Sequence, residues 1–255
     1  MIRRLIVLVG DSNLARNIAT VIKTACGNWG TPAQVMMAAG HGRSYGQASH
    51  VLGRTLPGIV ECALWPTLLD EPPIPTAALV TDIGNDILYG VAAKTIASWV
   101  ETCLQQLRQV HACIVMTELP LENLRKLESW RFRLFRTVLF PQSKLTLAHV
   151  LDEACALNER IINLANQYQA TILRPHPGWY GFDPIHFRVK HQADAWCEYM
   201  SPWNPERQLL RSQGTILNGI YLRTRRPHWR RIAGFTLRCQ QPCGRLMNDS
   251  TVSLF

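Results

Sequence analysis

Short apolar runs alternate along the chain with longer segments in which apolar residues recur every three or four positions. Each run has the length of a buried strand and is too short to form a helix by itself. The runs are Leu5–Val9, Gln34–Ala38, Ala77–Ile83, Ala112–Thr117 and Ala170–Leu173. The segments between them have the spacing of amphipathic helices, most clearly over residues 150–165. This alternation predicts a mainly parallel, five-stranded sheet with helices on both faces, a three-layer α/β/α sandwich.

Three of the segments between the runs allow more specific predictions of local structure. After the first run, apolar residues from Leu14 to Ala25 have helical spacing, and Gly27 is the expected helix stop. Residues 64–76 contain four prolines, which predict a loop or a rigid extended connection. Residues 119–147 contain an amphipathic basic helix, which either packs on the sheet or forms a lid over a lipid-like substrate.

The pattern changes after about residue 202. Asn218-Gly219 lies between apolar runs, and this pair is typical of a two-residue hairpin turn. Residues 231–239 and 250–255 have the composition of further strands. We therefore expect an α/β domain over residues 1–202 and a small, basic, β-rich extension over residues 203–255.

The chain is basic, with a formal net charge of +9 over 255 residues, and the charge is unevenly distributed. Arginines are concentrated in residues 223–231, and five basic residues lie in residues 125–136. A basic surface favours anionic partners such as nucleic acid, phospholipid or an acidic substrate, without choosing between them. A solvated surface is the simpler interpretation, and binding of nucleic acid through residues 223–231 is the alternative.

Composition excludes several other classes of protein. No apolar stretch approaches the roughly 18 residues of a membrane span, and the N-terminal run is too short for a signal peptide, so we expect a cytoplasmic protein. The eight cysteines are scattered, and no second close pair has zinc-ligand spacing. We therefore expect reduced thiols and no metal site, with a Cys239–Cys243 disulfide as the alternative. The oligomeric state stays open.

Polar residues and glycines follow four of the five runs. They are Gly10-Asp11-Ser12, Gly40, Gly84-Asn85-Asp86 and the Asp183–His186 pair, in chain order. The carboxyl ends of parallel strands meet at one edge of a sheet, where ligands bind. A helix cap or a turn would explain each group separately, but their joint occurrence predicts a functional site at this edge.

The residue types are those that nucleophilic catalysis by a serine requires. A serine hydroxyl is a weak nucleophile near neutral pH, so Ser12 needs a base, and His186 can take its proton and later return it. Asp183 can hold the imidazole of His186 in one tautomer. Charge that develops on a carbonyl oxygen needs donors already in place. The backbone N–H groups of Ser12 and Gly40 and the side-chain amide of Asn85 are suitable donors.

Three neighbouring polar residues have simpler expected roles. We expect the Asp11 carboxylate to accept hydrogen bonds from loop N–H groups and Asp86 to brace the Asn85 turn. His41 is expected to be a surface loop residue.

The four motifs together resemble those of the SGNH (GDSL) hydrolase family over roughly residues 5–200. The family's markers correspond to Ser12 in VGDSN, Gly40 in AAGHG, Asn85 in IGNDI and His186 in DPIHF, and Asp183 corresponds to its third triad member. At the second motif Ala38 stands where the family usually has asparagine, and Gly42 is the alternative to Gly40. The resemblance implies a flavodoxin-like sandwich and hydrolysis of carboxylic esters without a metal or organic cofactor.

We therefore expect a serine esterase or lipase-like hydrolase that forms an acyl-enzyme on Ser12. Its substrate would be a small-molecule ester, for which the basic charge makes an anionic compound one option. A carbohydrate O-acetylesterase or an acyltransferase would use the same residues and is the first alternative. A nucleic-acid-binding protein that uses residues 223–231 is the second.

Overall fold

The computed structural model describes residues 4–51, 53–139, 144–206 and 213–255. The strands are β1 (Arg4–Val9), β2 (Ala33–Ala38), β3 (Ser49–Val51), β4 (Arg54–Leu56), β5 (Thr76–Val80), β6 (Cys113–Thr117), β7 (Thr171–Leu173), β8 (Trp229–Ile232), β9 (Phe235–Arg238), β10 (Gly244–Arg245) and β11 (Thr251–Leu254). The helices are α1 (Ser12–Arg16), α2 (Ile18–Trp29), α3 (Leu64–Leu69), α4 (Ala93–Gln109), α5 (Leu121–Arg125), α6 (Ser129–Leu139), α7 (Leu147–Gln167), α8 (Gln192–Met200) and α9 (Ile216–Arg223).

The main sheet has the strand order β10-β11-β2-β1-β5-β6-β7. The five strands expected from the sequence are adjacent and parallel, and in β1 Val9 pairs with Ala38 of β2 and Val80 of β5. The three central strands are buried on both faces, which is why they are continuous apolar runs without alternation. The predicted α/β fold with a mainly parallel sheet is confirmed.

Helices cover both faces of this sheet. On one face α4 and α7 pack together, and Val7, Leu104 and Leu157 belong to the same apolar core. On the other face α2 and α8 pack together, and Ile6 and Trp196 belong to the second core. Because successive side chains of a strand point to opposite faces, Ile6 and Val7 serve different cores. Both faces are therefore occupied by core packing, and the carboxyl edge of the strands is left for the loops.

The segment after residue 203 contributes strands to two sheets. β11 lies parallel to β2, with Val252 opposite Val35, and β10 pairs antiparallel with β11. β8 and β9 extend the β3–β4 pair into an antiparallel sheet of order β3-β4-β8-β9. The strand predicted over residues 250–255 is confirmed as β11, whereas the one predicted over residues 231–239 is divided between β8 and β9 by a turn at Ala233-Gly234. The division of the chain into domains at residue 203 stays a prediction.

The hairpin predicted at Asn218-Gly219 is wrong, because this segment forms α9. The Thr215 side chain caps the helix by accepting a hydrogen bond from the backbone N–H of Asn218, at 3.2 Å. Packing of Leu222 into the core outweighs the local turn preference. The hairpin lies instead between β8 and β9 at Ala233-Gly234, where both residues have positive φ, as a tight two-residue turn requires.

The helix stop predicted at Gly27 is also wrong. α2 continues to Trp29 and ends at Gly30, whose φ of +116° few other residues adopt. The buried Asn28 side chain donates to the carbonyl of Thr24, at 3.0 Å, and this bond supports the last helical turn.

Two longer segments differ from expectation in part. In the proline-rich segment, α3 includes Pro66 in its first turn, where the missing N–H has no helical partner to lose. The predicted basic helix over residues 119–147 is divided into α5 and α6, and its residues 140–143 lie outside the described residues. Leu127 turns into the core between the two helices, whereas Trp130 and Leu134 are exposed. The predicted apolar face is therefore buried only in part.

All eight cysteines are free thiols, Cys239 and Cys243 included, so the alternative disulfide is not formed. In the ranges described above, no helix is both long and apolar enough to cross a membrane.

Two glycines provide a matched test of the packing where β1 ends. A Cβ at Gly10 would lie 2.8 Å from the carbonyl oxygen of Thr81, whereas a Cβ at Gly27 would have no atom within 4 Å. We expect Gly10→Ala to lower the free energy of unfolding by about 1–3 kcal/mol because the strand ends must separate. Gly27→Ala should raise it by about 0.5–1 kcal/mol because alanine favours a helix interior. Urea denaturation of both variants measures this, and equal effects would contradict the close packing at Gly10.

Candidate active site

Ser12 is the first residue of α1 and lies directly beyond the end of β1. The strand end is held on both sides, because the Gly10 N–H donates to the carbonyl of Ala38 (3.1 Å) and the Thr81 N–H donates to the carbonyl of Val9 (2.9 Å). The lack of a side chain at Gly10 lets the chain turn while it stays between these neighbours. Ser12 is therefore at the carboxyl edge of the sheet, with 7% of its surface exposed.

A chain of short hydrogen bonds joins Ser12, His186 and Asp183. The Oγ atom of Ser12 lies 2.8 Å from Nε2 of His186, although the residues are 174 positions apart in the sequence. Nδ1 of His186 lies 2.6 Å from Oδ2 of Asp183. With the proton on Nδ1, the imidazole donates to the carboxylate and Nε2 is free to accept from the serine hydroxyl. The structure thus brings these three predicted residues together.

The loop that contains Asp183 keeps its carboxylate ionised. Burial by itself raises the pKa of Asp183, but the hydrogen bond from His186 and those from two backbone N–H groups lower the pKa further than burial raises it. The backbone donors are the N–H groups of Ile185 (3.1 Å) and His186 (3.2 Å), both to Oδ1. Oδ2 is left to face the imidazole, so the carboxylate fixes the orientation of the ring.

Asn13 connects the serine turn to the histidine loop. Its backbone N–H and its Nδ2 donate to the two carboxylate oxygens of Asp82, at 3.1 and 2.9 Å. Nδ2 also donates to the carbonyl of Ile185 (2.9 Å), and Oδ1 accepts from the N–H of Phe187 (3.1 Å). One buried amide therefore holds the residues on both sides of His186 against the turn that carries Ser12.

Asp82 follows β5 in the left-handed region of backbone space, with a φ of +56°. This conformation is uncommon for residues with a side chain, and aspartate tolerates it better than most. Burial raises the pKa of Asp82, and the hydrogen bonds from Asn13 counteract that rise. The unusual backbone turns its carboxylate toward Asn13.

Two more buried carboxyl groups, Asp11 and Asp86, support the glycine-rich segment that follows β2. Oδ1 of Asp11 accepts from the N–H of Arg43 (2.9 Å), which confirms its expected role as an acceptor of loop N–H groups. Oδ2 of Asp86 accepts from the N–H of Tyr45 (2.9 Å). Asp86, which follows Asn85 in the chain, therefore ties the turn after β5 to the glycine-rich segment. Burial raises the pKa of Asp11 well above its ordinary value, and the negative charge of Asp82 raises it further.

The three expected oxyanion donors come from adjacent strand ends. Asn85 lies in the 3-10 turn Ile83–Tyr89 after β5 and lines the same cavity as Ser12. Gly40 follows β2 on the other side of β1 and lines a second cavity. A Cβ at Gly40 would lie 2.8 Å from the Leu56 side chain, so a glycine fits there best.

Gly42, the alternative to Gly40, has a clear structural role. Its φ is +62°, and its carbonyl accepts a hydrogen bond from the Tyr89 hydroxyl at 2.6 Å. It therefore shapes the turn of the glycine-rich segment.

The cavity beside Ser12 has a volume of about 90 Å³ and extends beneath α5 and α6. Its deeper walls are apolar and include Ile87, Leu127 and Phe132, with Val150 and Ala154 of α7. Near the serine the lining is more polar, with Asn85 and Asp82. Such a cavity suits a small apolar group attached to a polar reacting centre.

Sequence reasoning missed three residues of this region: Asn13, Asp82 and Arg43. Arg43 is fully buried, and its guanidinium donates to the carbonyls of Pro57 (3.2 Å) and Phe255. The position of Asn13 directly after Ser12 was the one available signal, because the other partners are distant in sequence. Across the described ranges, no group of three or more His, Cys, Asp or Glu side chains is arranged to hold a metal ion.

The buried Asp86 predicts a measurable pH dependence of stability. Burial raises the pKa of Asp86 from an ordinary 3.8 to about 6, so the folded state binds a proton more tightly than the unfolded state. The contribution of Asp86 to the free energy of unfolding therefore falls as pH rises from its unfolded-state pKa to its folded-state pKa. The total loss is about 3 kcal/mol. The difference in unfolding free energy between wild type and Asp86→Asn should fall by this amount between about pH 4 and pH 7. A difference that is independent of pH in urea titrations would contradict the assignment.

Asn13 is predicted to hold the Ser12–His186 contact in place. Asn13→Ala leaves the Phe187 N–H, the Ile185 carbonyl and the Asp82 carboxylate without these bonds, which should cost about 2–4 kcal/mol of stability. It should also broaden the far-downfield proton resonance of His186 Nδ1, assigned by its absence in His186→Gln. Asn28→Ala removes another buried asparagine, far from the site, and should leave that resonance sharp. A sharp resonance in Asn13→Ala would show that the Asn13 hydrogen bonds are not needed to hold His186 in place.

The sequence matches no protein-family model, and no curated protein matches it significantly. Several solved structures do match the fold. A carbohydrate acetylesterase family member from Sinorhizobium meliloti has a TM-score of 0.54 and 14% identity, and the match covers 78% of this chain and 96% of that one. The aryl esterase from M. smegmatis has a TM-score of 0.50 and 13% identity, with 82% and 100% covered. The psychrotrophic esterase EstA from Pseudoalteromonas sp. has a TM-score of 0.50 and 12% identity, with 78% and 97% covered.

At these identities the likeness concerns the fold. The matching part spans most of this chain and nearly the whole of each esterase, so the shared feature is the complete α/β sandwich. The chain therefore has the α/β fold of these three esterases, which agrees with the sandwich that its four motifs predicted.

Proposed function

We propose that this protein is a serine hydrolase that cleaves carboxylic esters at Ser12. The observation that supports this most strongly is the continuous hydrogen-bonded chain from Ser12 Oγ through His186 to Asp183. A hydroxyl with an imidazole at 2.8 Å and an orienting carboxylate at 2.6 Å has the arrangement that activates a serine. Its place beside a cavity with an apolar interior agrees with an acyl substrate.

In the first half of the reaction, the Ser12 oxygen forms a bond to the ester carbonyl carbon while His186 Nε2 takes the hydroxyl proton. The imidazolium that forms is stabilised by the ionised carboxylate of Asp183. When the tetrahedral intermediate breaks down, the bond from carbon to the alcohol oxygen is cleaved. The departing alcohol takes the proton from His186, and the acyl group stays on Ser12.

Stabilisation of the negative charge on the carbonyl oxygen is assigned to the N–H groups of Ser12 and Gly40 and to the Asn85 amide. The donors come from three adjacent strand ends, so the rigid sheet sets their spacing before substrate binds. Donors that need no reorganisation commonly contribute about 10²–10³ in rate each.

In the second half, His186 removes a proton from water, and the resulting nucleophile attacks the acyl carbon. The bond from that carbon to Ser12 breaks, Ser12 regains its proton from His186, and the carboxylic acid leaves. The acyl group is assigned to the cavity under α5 and α6, where Leu127 and Phe132 would contact it. These two helices then form a wall of the acyl site.

The alternatives remain distinguishable from this proposal. An acyltransferase or a carbohydrate O-acetylesterase would use the same residues with another acceptor or alcohol, and product analysis separates them. Binding of nucleic acid through residues 223–231 is the less favoured proposal, because Arg223 and Arg225 face a cavity next to the site. A cytoplasmic location stays a prediction from the sequence.

Hydrolysis of p-nitrophenyl acetate and p-nitrophenyl butyrate tests the proposal. We expect turnover by the wild type, a loss of at least about 10³-fold in kcat for Ser12→Ala, and about 10⁴-fold for Asp183→Asn because the imidazole tautomer is no longer fixed. Ser98→Ala removes an exposed hydroxyl that bonds only to its own helix and is the matched control. No turnover by the wild type, or undiminished turnover by Ser12→Ala, would refute the proposal.

A further inference from the structure

A second cavity, of about 690 Å³, is lined by Gly40 after β2 and by residues 15–18, which follow Ser12 in the chain. Four arginines line it, Arg16, Arg54, Arg223 and Arg225, together with His41. Its described lining contains no aspartate or glutamate. We call this cavity the arginine chamber. It is much larger than the apolar cavity, and its charge is strongly one-sided.

Three separate parts of the chain supply the arginines of the chamber. Arg16 ends α1, four positions after Ser12, and Arg54 begins β4. Arg223 and Arg225 come from α9 and the turn after it, and β8 pairs with β4 at Arg54, opposite Ile232. Arginines that are distant in sequence thus line one cavity, although Arg16 and Arg223 are also exposed to solvent.

The contacts that orient these arginines leave their charges largely uncancelled. Arg223 donates to the backbone carbonyl of Arg16, at 2.7 Å. Arg225 donates to the carbonyl of Tyr221 at 3.2 Å and lies over the Tyr221 ring, 4.4 Å from its centre. Carbonyls and a ring fix direction without neutralising charge. Arg16 has a distant carboxylate partner, Asp183, at 4.0 Å.

Like charges that converge on a cavity repel one another, and an anion with several oxygens removes that repulsion when it binds. The positive charge of these arginines also acts on the neighbouring His41. Burial lowers the pKa of His41, and the positive charges of Arg54 and Arg16 lower it further. Planar guanidinium groups match the oxygen geometry of phosphate, which they bind in a bidentate manner.

The chamber lies where a leaving group would emerge. It is bordered by Gly40, an assigned oxyanion donor, and by Arg16, which neighbours the Asp183–His186 pair. His186 returns a proton to the leaving group in the proposed reaction. With the acyl group in the apolar cavity, the alcohol or thiol portion is directed into the arginine chamber.

We propose that the arginine chamber binds a phosphate-bearing leaving group, so that the preferred substrates are acyl esters or thioesters of a phosphorylated alcohol or thiol. The inference rests on the proposed esterase function and specifies its substrate class. Cleavage breaks the bond from the acyl carbon to oxygen or sulfur, and the leaving atom takes the proton from His186. Water supplies the hydroxyl of the released acid, so no further reactant is needed.

Two pairs of substrates that share one acyl group test the proposal. The first pair is 1-butyrylglycerol and 1-butyrylglycerol 3-phosphate, which differ by the phosphate alone. The second pair is S-butyryl-N-acetylcysteamine and butyryl-coenzyme A, in which the phosphates lie farther from the reacting bond. We expect kcat/KM to be at least about tenfold higher for the phosphorylated member of one pair or both. The pair with the larger ratio identifies how far from the reacting bond the phosphate is bound.

The arginine variants assign this preference to the chamber. Arg54→Gln and Arg223→Gln should each lower the ratio of kcat/KM between phosphorylated and neutral substrates by about tenfold, and Arg54→Lys should lower it less because the charge is kept. Arg226→Gln makes the same change of charge at an exposed neighbour outside the chamber lining and should keep the ratio. Because Arg223 is exposed, its variant should fold even if Arg54→Gln does not.

The outcomes separate the two proposals. Hydrolysis that depends on Ser12 but shows equal kcat/KM for both members of both pairs would overturn the phosphate inference and leave the esterase function standing. A preference that is undiminished in Arg223→Gln, and in Arg54→Gln if that variant folds, would also overturn it, as would a loss of the preference in Arg226→Gln alone. Absence of hydrolysis for every substrate would overturn both.

Discussion

The contact on which the site depends most is the set of hydrogen bonds made by Asn13. Its amide joins the turn after β1, the carboxylate of Asp82 after β5, and the backbone beside His186. The histidine loop has little regular structure of its own, so without these bonds nothing comparable would set its distance from the serine. A buried amide whose donors and acceptor are all paired is specific, because any other register leaves polar groups unsatisfied.

Buried charge is the second constraint on the loops. Asp11, Asp82 and Asp86 lie under the site at a desolvation cost, and each is partly compensated by backbone N–H groups of a neighbouring loop. Burial raises the pKa of Asp82, and the hydrogen bonds from Asn13 and the nearby His186 counteract that rise.

The layout of the sheet and the positions of Ser12, Asn85, Asp183 and His186 could be predicted from sequence, because strand ends in a parallel sheet are marked by abrupt changes from apolar to polar residues. The misassigned elements have one cause in common. Asn218-Gly219 and Gly27 are local turn signals. At both sites the helix forms because packing and capping in the folded chain outweigh the local turn preference. Arg43 and Asp82 could not be predicted as parts of the site, because their partners are distant in sequence and their roles follow from burial.

The position of β11 has a consequence for when Arg43 can pack during synthesis. β11 lies against β2, and the residue that follows it, Phe255, receives the buried Arg43 side chain from the segment whose backbone also bonds to Asp11. A ribosome makes Ser12 early and residues 251–255 long afterwards. A nascent chain that has emerged only as far as α8 would hold the serine, histidine and aspartate but lack this anchor. The packing of Arg43 against Phe255 is thereby delayed until residues 251–255 have been translated and have left the ribosome.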